Sequence, residues 1–165
     1  MLSHGLALAV LLPASTGQEL VLPSAETAEE LGWDLAADGA TVLAAAPGSN
    51  AVHLFELGPT GWSWSARLAS AAAAGNERFG HAVALADGLA LIGATAAADA
   101  GPTSGAAYVF ERTSSGWMER ARLLAPDAAA EHAFGVSVAL AGERAFVGAY
   151  RADGAAPGSG AVYLF

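Results

Sequence analysis

The chain matches itself at a shift of 55 residues, and that self-match limits the available folds more than any other property of its 165 residues. Ala51-Val52-His53-Leu54-Phe55 returns as Ala106-Ala107-Tyr108-Val109-Phe110 and again as Ala161-Val162-Tyr163-Leu164-Phe165. The same shift relates Gly61-Trp62 to Gly116-Trp117, Ala66-Arg67-Leu68 to Ala121-Arg122-Leu123, and Phe79-Gly80 to Phe134-Gly135. In the first copy Leu31-Gly32 lies only 48 residues before Phe79-Gly80, so that copy lacks seven residues. They are missing from one loop, where residues 47–50 stand in place of 95–105 and 150–160.

Each copy reads as four short strands. Large and small residues alternate through Phe134-Gly135-Val136-Ser137-Val138-Ala139-Leu140, through Phe79, His81, Val83 and Leu85, and through Leu31, Trp33 and Leu35, which is a strand's period of two. Second strands over 89–94 and 145–149 follow tight turns at Ala86-Asp87-Gly88 and Ala141-Gly142-Glu143, with Ala37-Asp38-Gly39 the counterpart in the first copy. Third strands end at Phe55, Phe110 and Phe165, and fourth strands run from Trp62 to Leu68 and from Trp117 to Leu123. The expected fold is all-β: three four-stranded antiparallel meanders stacked as β-propeller blades, over about 31–70, 79–125 and 134–165. Gly80, Ala82 and Ala84, like Gly135, Ser137 and Ala139, give the inner strand a small face that lets sheets approach closely. The Ala runs at 71–74 and 128–130 are each long enough for a single helical turn.

Composition narrows the function classes. Sixteen acids against seven Arg and no Lys leave a net charge of −9, which repels nucleic acid and anionic membranes. With no Cys there is neither a disulfide nor thiolate chemistry. Residues 6–12 form an apolar run too short to span a bilayer. Residues 1–17 therefore read either as a secretory signal, although 1–5 carry no Lys or Arg, or as a remnant strand.

Phe79-Gly80 followed by Gly93-Ala94-Thr95, and Phe134-Gly135 followed by Gly148-Ala149-Tyr150, resemble the FG-GAP repeat of integrin-α-type propellers and of secreted bacterial proteins. The resemblance spans roughly 18–165, although the first copy has Leu31 in place of Phe and only Ala45-Ala46-Pro47 keeps the proline. It implies a secreted or cell-surface protein. Integrin-type relatives bind calcium through acidic loops between the first and second strands, but here Asp38, Asp87 and Glu143 stand alone in tight turns, short of the six to eight oxygens calcium takes. No cofactor is expected; the alternative is a weak, exposed calcium site involving Asp99 or Asp153.

In an up-and-down meander the long loops 69–78, 95–105, 124–133 and 150–160 share one face, where a repeat scaffold usually binds. Candidate ligand-binding residues there are Glu77, Asp99, Glu131, His132, Tyr150, Arg151 and Asp153. His53 and His81 read as packing residues with a polar edge, Trp62 and Trp117 as anchors of the outer strands, Arg67 and Arg122 as a repeated structural feature, and Glu29-Glu30 as a solvated acidic pair. Trp64 fits neither group. No Ser elbow, phosphate loop or His-Glu-x-x-His pattern occurs, so no enzyme is expected.

Three blades are fewer than a closed propeller needs. Gln18-Glu19-Leu20-Val21-Leu22-Pro23 resembles Arg122-Leu123-Leu124-Ala125-Pro126, so residues 18–22 are an orphan outer strand able to complete the third blade of a second copy and close a six-bladed homodimer. The expected function is a non-catalytic extracellular adhesion module for a protein or glycan partner. The alternatives are a structural fragment of a larger propeller and an accessory domain of a hydrolase.

Overall fold

The computed structural model describes residues 17–24, 28–73 and 75–165, and it consists of three antiparallel sheets. Residues 1–16, with the signal-or-strand alternative, lie outside the described residues. The first sheet orders β1 (Leu35–Asp38), β2 (Thr41–Ala46), β3 (Ala51–Gly58) and β4 (Gly61–Leu68) in sequence. The second does the same with β5 (Phe79–Ala86), β6 (Leu89–Ala94), β7 (Ala106–Thr113) and β8 (Gly116–Leu123). The third has β9 (Ser137–Ala141), β10 (Arg144–Ala149) and β11 (Ala161–Leu164). These are the three blades, and the repeat extends to an irregularity in pairing: β3 and β4 slip register between Leu54 and Phe55, β7 and β8 between Val109 and Phe110. The only helical piece among the described residues is the 3-10 turn Pro47–Ser49 inside the short loop. Residues 71–73 and 128–130 form bends and turns rather than helix.

The inner strands begin later than the alternation predicts in two blades. β1 starts at Leu35 and not at Leu31, and β9 at Ser137 and not at Phe134. The reason lies in the Phe-Gly pair. The residue before it is left-handed in every blade (Glu30 φ 61°, Arg78 φ 55°, Ala133 φ 55°), and so is its glycine (Gly32 φ 86°, Gly80 φ 95°, Gly135 φ 88°). Two left-handed residues flanking one side chain cannot lie on a regular pleat. In the second blade they become a bulge, where Phe79 pairs with Ala94 but the next pair is Ala82 with Gly93.

That distortion places the aromatic ring between blades. Phe79 is fully buried among Leu43, Val52, Leu54 and Leu68 of the first blade and Val83, Ile92, Tyr108 and Phe110 of its own. Phe134 is fully buried between Leu91 and Ala107 of the second blade and Val147, Ala149 and Tyr163 of the third. Each ring meets two others edge-on, Phe79 with Tyr108 and Phe110, Phe134 with Tyr163 and Phe165. Burying such a ring contributes about 2–3 kcal/mol, so these two inter-blade clusters are the main apolar glue of the stack.

Polar links reinforce the stacking. Asp34 Oδ2 accepts from the Val83 amide at 2.8 Å, Asp38 Oδ2 from the Asp87 amide at 2.9 Å, and Asn50 Oδ1 from the Phe79 amide at 3.0 Å. Asp38 and Asp87, read from sequence as isolated turn acids, thus join two adjacent hairpins.

Candidate functional site

The long loops do share one face, and they are tied to one another there. Loop 95–105 donates from the Ala96 amide to the Glu77 carbonyl on one side; on the other, its Pro102, Thr103 and Ser104 carbonyls accept from the amides of Glu131, Ala133 and Phe134. Most polar side chains of this face are engaged within the scaffold. Arg122 donates to both carboxylate oxygens of Asp99, lies 3.8 Å from Glu77, and sits over the Tyr108 ring, 5.4 Å from its centroid. Glu77 Oε2 also accepts from the Tyr108 hydroxyl at 3.0 Å. Burial holds that hydroxyl far above the usual tyrosine range; the Arg122 charge opposes the shift and Glu77 adds to it. Arg122 is therefore the hub of the second blade's outer end.

In the third blade Tyr163 donates to Asp127 Oδ1 at 2.7 Å, and burial, with that bond and charge, pushes its hydroxyl up to about 12. Glu131 meets Arg151 at 3.5 Å, and the Arg151 guanidinium lies 5.0 Å from the centroid of the Tyr150 ring. Asp153 Oδ1 accepts from the Gly158 amide at 2.7 Å, closing its own loop. His132 is buried, with Nδ1 unbonded. The candidates thus fall into two groups: Glu77 with Asp99 around Arg122, and Glu131, Arg151 and Tyr150 in a chain. Asp153 and His132 belong to neither. Among the described residues no three His, Asp or Glu side chains cluster as for a metal ion, and no helix is long and apolar enough to cross a membrane.

Tyr150 is the most open aromatic of this group, 54% exposed. The residue borders a groove of about 430 Å³ with Val136, Gly148, Ser159, Gly160 and Val162.

A second cavity, of about 410 Å³, is lined by Pro23, Ser24, Glu29, Ser49, His53, Trp64 and Arg67. Sequence reasoning did not find it. Its His53, Arg67 and Glu29 hold the repeat positions of Tyr108, Arg122 and Glu77, but the four-residue loop has no counterpart of Asp99. Arg67 instead donates to the Ser49 carbonyl at 3.0 Å, and the exposed Glu30 pairs with Arg78 at 3.3 Å. The Trp64 indole donates to His53 Nδ1 at 3.2 Å. An indole N–H can only donate, so Nδ1 is the bare nitrogen and the neutral ring carries its proton on Nε2. Burial lowers the His53 pKa; Glu29 opposes that shift and Arg67 adds to it. The sequence signal was the missing seven residues, which remove whatever would occupy this space.

The fold and loop arrangement define a β-propeller repeat protein. The sequence profile of the FG-GAP repeat matches residues 62–110 and 117–165, and the chain belongs to that family. Each match starts in one blade's outer strand and ends at the third strand of the next, so the sequence repeat is offset from the sheets by one strand. No curated protein matches the chain.

Proposed function

We propose that this FG-GAP repeat protein is a non-catalytic binding module, secreted or displayed at the cell surface, that engages a protein or glycan partner through the third blade's long-loop face. The observation that carries this reading is the exposed Tyr150, over whose ring the Arg151 guanidinium lies 5.0 Å from the centroid. Tyrosine and arginine supply large contact area and directional bonding, and they are over-represented among residues that dominate binding energy. The test is binding of immobilised extracellular-matrix proteins and polysaccharides by the full chain and by Tyr150→Ala and Arg151→Ala. Retention of all binding by both variants overturns the reading.

A second reading, a structural unit of a larger propeller, is favoured by one face. Val162 is 74% exposed, and Leu164 on the same strand face is also open. The corresponding side chains of the second blade, Ala107 and Val109, pack in the cluster between the second and third blades. The homodimeric ring is one form of this reading. Against it, the Gln18 side chain already forms two bonds with the Trp62 backbone of its own chain, at 2.7 and 3.2 Å. Light scattering coupled to size exclusion separates a monomer from a ring of two.

A further inference from the structure

Both joints between blades are made the same way, by a Phe-Gly pair entering a socket on the preceding blade. At the first joint Phe79 is buried with Leu43, Val52 and Leu54, and Gly80 lies against the Ala51 carbonyl oxygen and the Ala46 nitrogen. At the second, Phe134 is buried with Leu91 and Ala107, and Gly135 lies against the Ala106 carbonyl oxygen, the Ala94 nitrogen and Gly93. The repeat shift of 55 carries this second socket onto Phe146, Gly148, Ala149, Ala161 and Val162 of the third blade. There the surroundings differ: Val162 is 74% exposed where Val52 and Ala107 are fully buried, and Phe146 is partly open where Leu43 and Leu91 are fully buried.

The third socket has the shape of the other two. The groove of about 430 Å³ runs past Gly148, Ala149, Ala161 and Val162, which correspond to the positions that receive Gly135 in the second joint. A hollow of about 190 Å³ lies among Ala139, Phe146, Gly148 and Val162, where the correspondence places the phenyl ring. The two share Ser137, Gly148 and Val162, so they are continuous. Gly148 leaves the room that Gly93 gives to the carbonyl of Gly135, where a Cβ would clash. An open apolar face of this kind marks an interaction surface, and the two filled sockets show what fits it.

We propose that this face of the third blade binds a partner protein through an extended Phe-Gly segment, the phenyl ring entering beside Phe146 and Val162 and the glycine crossing Ala161. The ring is required because its burial is the apolar gain at both existing joints. The glycine is required because Gly80 and Gly135 are left-handed, at φ 95° and 88°, and press on backbone that cannot yield to a Cβ. A second copy is the poorer occupant: its own free pair is Leu31-Gly32, which lacks the phenyl ring, and two chains at −9 repel each other. The proposal rests on the binding-module reading and narrows its partner to a protein, since Tyr150 borders the same groove.

The test titrates the full chain with a synthetic peptide of residues 76–85, which contains Phe79-Gly80, following the Gly148 and Val162 amides by NMR. Saturable shifts with a Kd on the order of 0.1–1 mM are expected. Peptides carrying Phe79→Ala or Gly80→Ala should bind about tenfold more weakly or worse, and they leave the chain itself unaltered. Val162→Glu in the chain, at an exposed position that should not disturb folding, is expected to weaken binding of the parent peptide to the same degree. No saturable shift up to about 3 mM peptide, equal affinity for the Gly80→Ala peptide, or indifference to Val162→Glu overturns the proposal. So does self-association in light scattering that Val162→Glu abolishes while the peptide fails to bind, which assigns the face to a second copy. Absent peptide binding with matrix binding still lost in Tyr150→Ala refutes this inference alone; peptide binding with matrix binding intact in Tyr150→Ala and Arg151→Ala refutes the earlier reading alone.

Discussion

Gly80 lies against the carbonyl oxygen of Ala51 in the neighbouring blade so closely that a Cβ there would come within 2.8 Å of it. Gly135 stands in the same relation to Ala106, where the approach would be 2.4 Å. The glycine of the Phe-Gly pair is thus the point where one blade's backbone touches the next, and its left-handed φ turns the preceding Phe into the cleft.

Gly135→Ala is expected to cost at least about 3 kcal/mol, combining left-handed strain with a clash against unyielding backbone. Gly142→Ala is the control: its φ is also positive, at 58°, but its Cβ would meet nothing within 4 Å, and the cost should be about 1 kcal/mol. Urea unfolding compares them, and equal losses would show that blade contact is not what the glycine serves.

Val52 and Val162 occupy one repeat position with opposite surroundings, 0% and 74% exposed. Val52→Ala should lose about 1–2 kcal/mol through the cavity left in the first inter-blade cluster, while Val162→Ala should stay within about 0.5 kcal/mol. A large loss at Val162, measured by thermal unfolding at several protein concentrations, would mean that its face is covered in solution.

Arg122→Lys keeps the charge but abandons the paired bond to Asp99 and the stacking on Tyr108. A loss of about 1–2 kcal/mol is expected. A double-mutant cycle of Arg122→Met with Asp99→Asn should return a coupling of about 1 kcal/mol; zero coupling would reduce the pair to a solvated contact. Because Arg122 occupies both Asp99 oxygens and Gly158 holds Asp153, millimolar calcium should leave the melting temperature unchanged.

Acid should destabilise the fold through His53 and His81. Burial is the main cause of lowered pKa in both, reinforced at His81 by Arg78 and opposed there by Asp34. A depressed folded pKa means the unfolded chain takes up the proton first. The stability these neutral rings provide is present above the unfolded value of 6.5 and is lost as pH falls from there through the folded value. Denaturant midpoints measured from pH 7.5 to 5 should fall, and His53→Tyr should flatten part of that fall. An unchanged pH dependence in the variant would remove His53 from this account.

The blades were legible before any coordinates because a strand's alternation and a tight turn's Asp-Gly are local, and the 55-residue echo multiplied each weak signal by the number of copies. Leu31 to Asp34 was misread as strand because alternation does not encode left-handed φ at Glu30 and Gly32. The shared long-loop face followed from topology alone. The engagement of Asp99 by Arg122 did not, since Asp99 lies in the loop after β6 and Arg122 in β8, 23 residues apart.

By itself, then, the sequence determined an all-β chain of repeated meanders, where each turn falls, and which glycines must lie between sheets, for all of these depend on near neighbours and on periodicity. Only the tertiary structure decided which copies of a repeated residue are covered, which charges are already paired, and that a shortened loop leaves a cavity beside His53. Those outcomes depend on what the adjacent blade or loop brings into contact, and residues that are equivalent along the chain do not have equivalent neighbours in space.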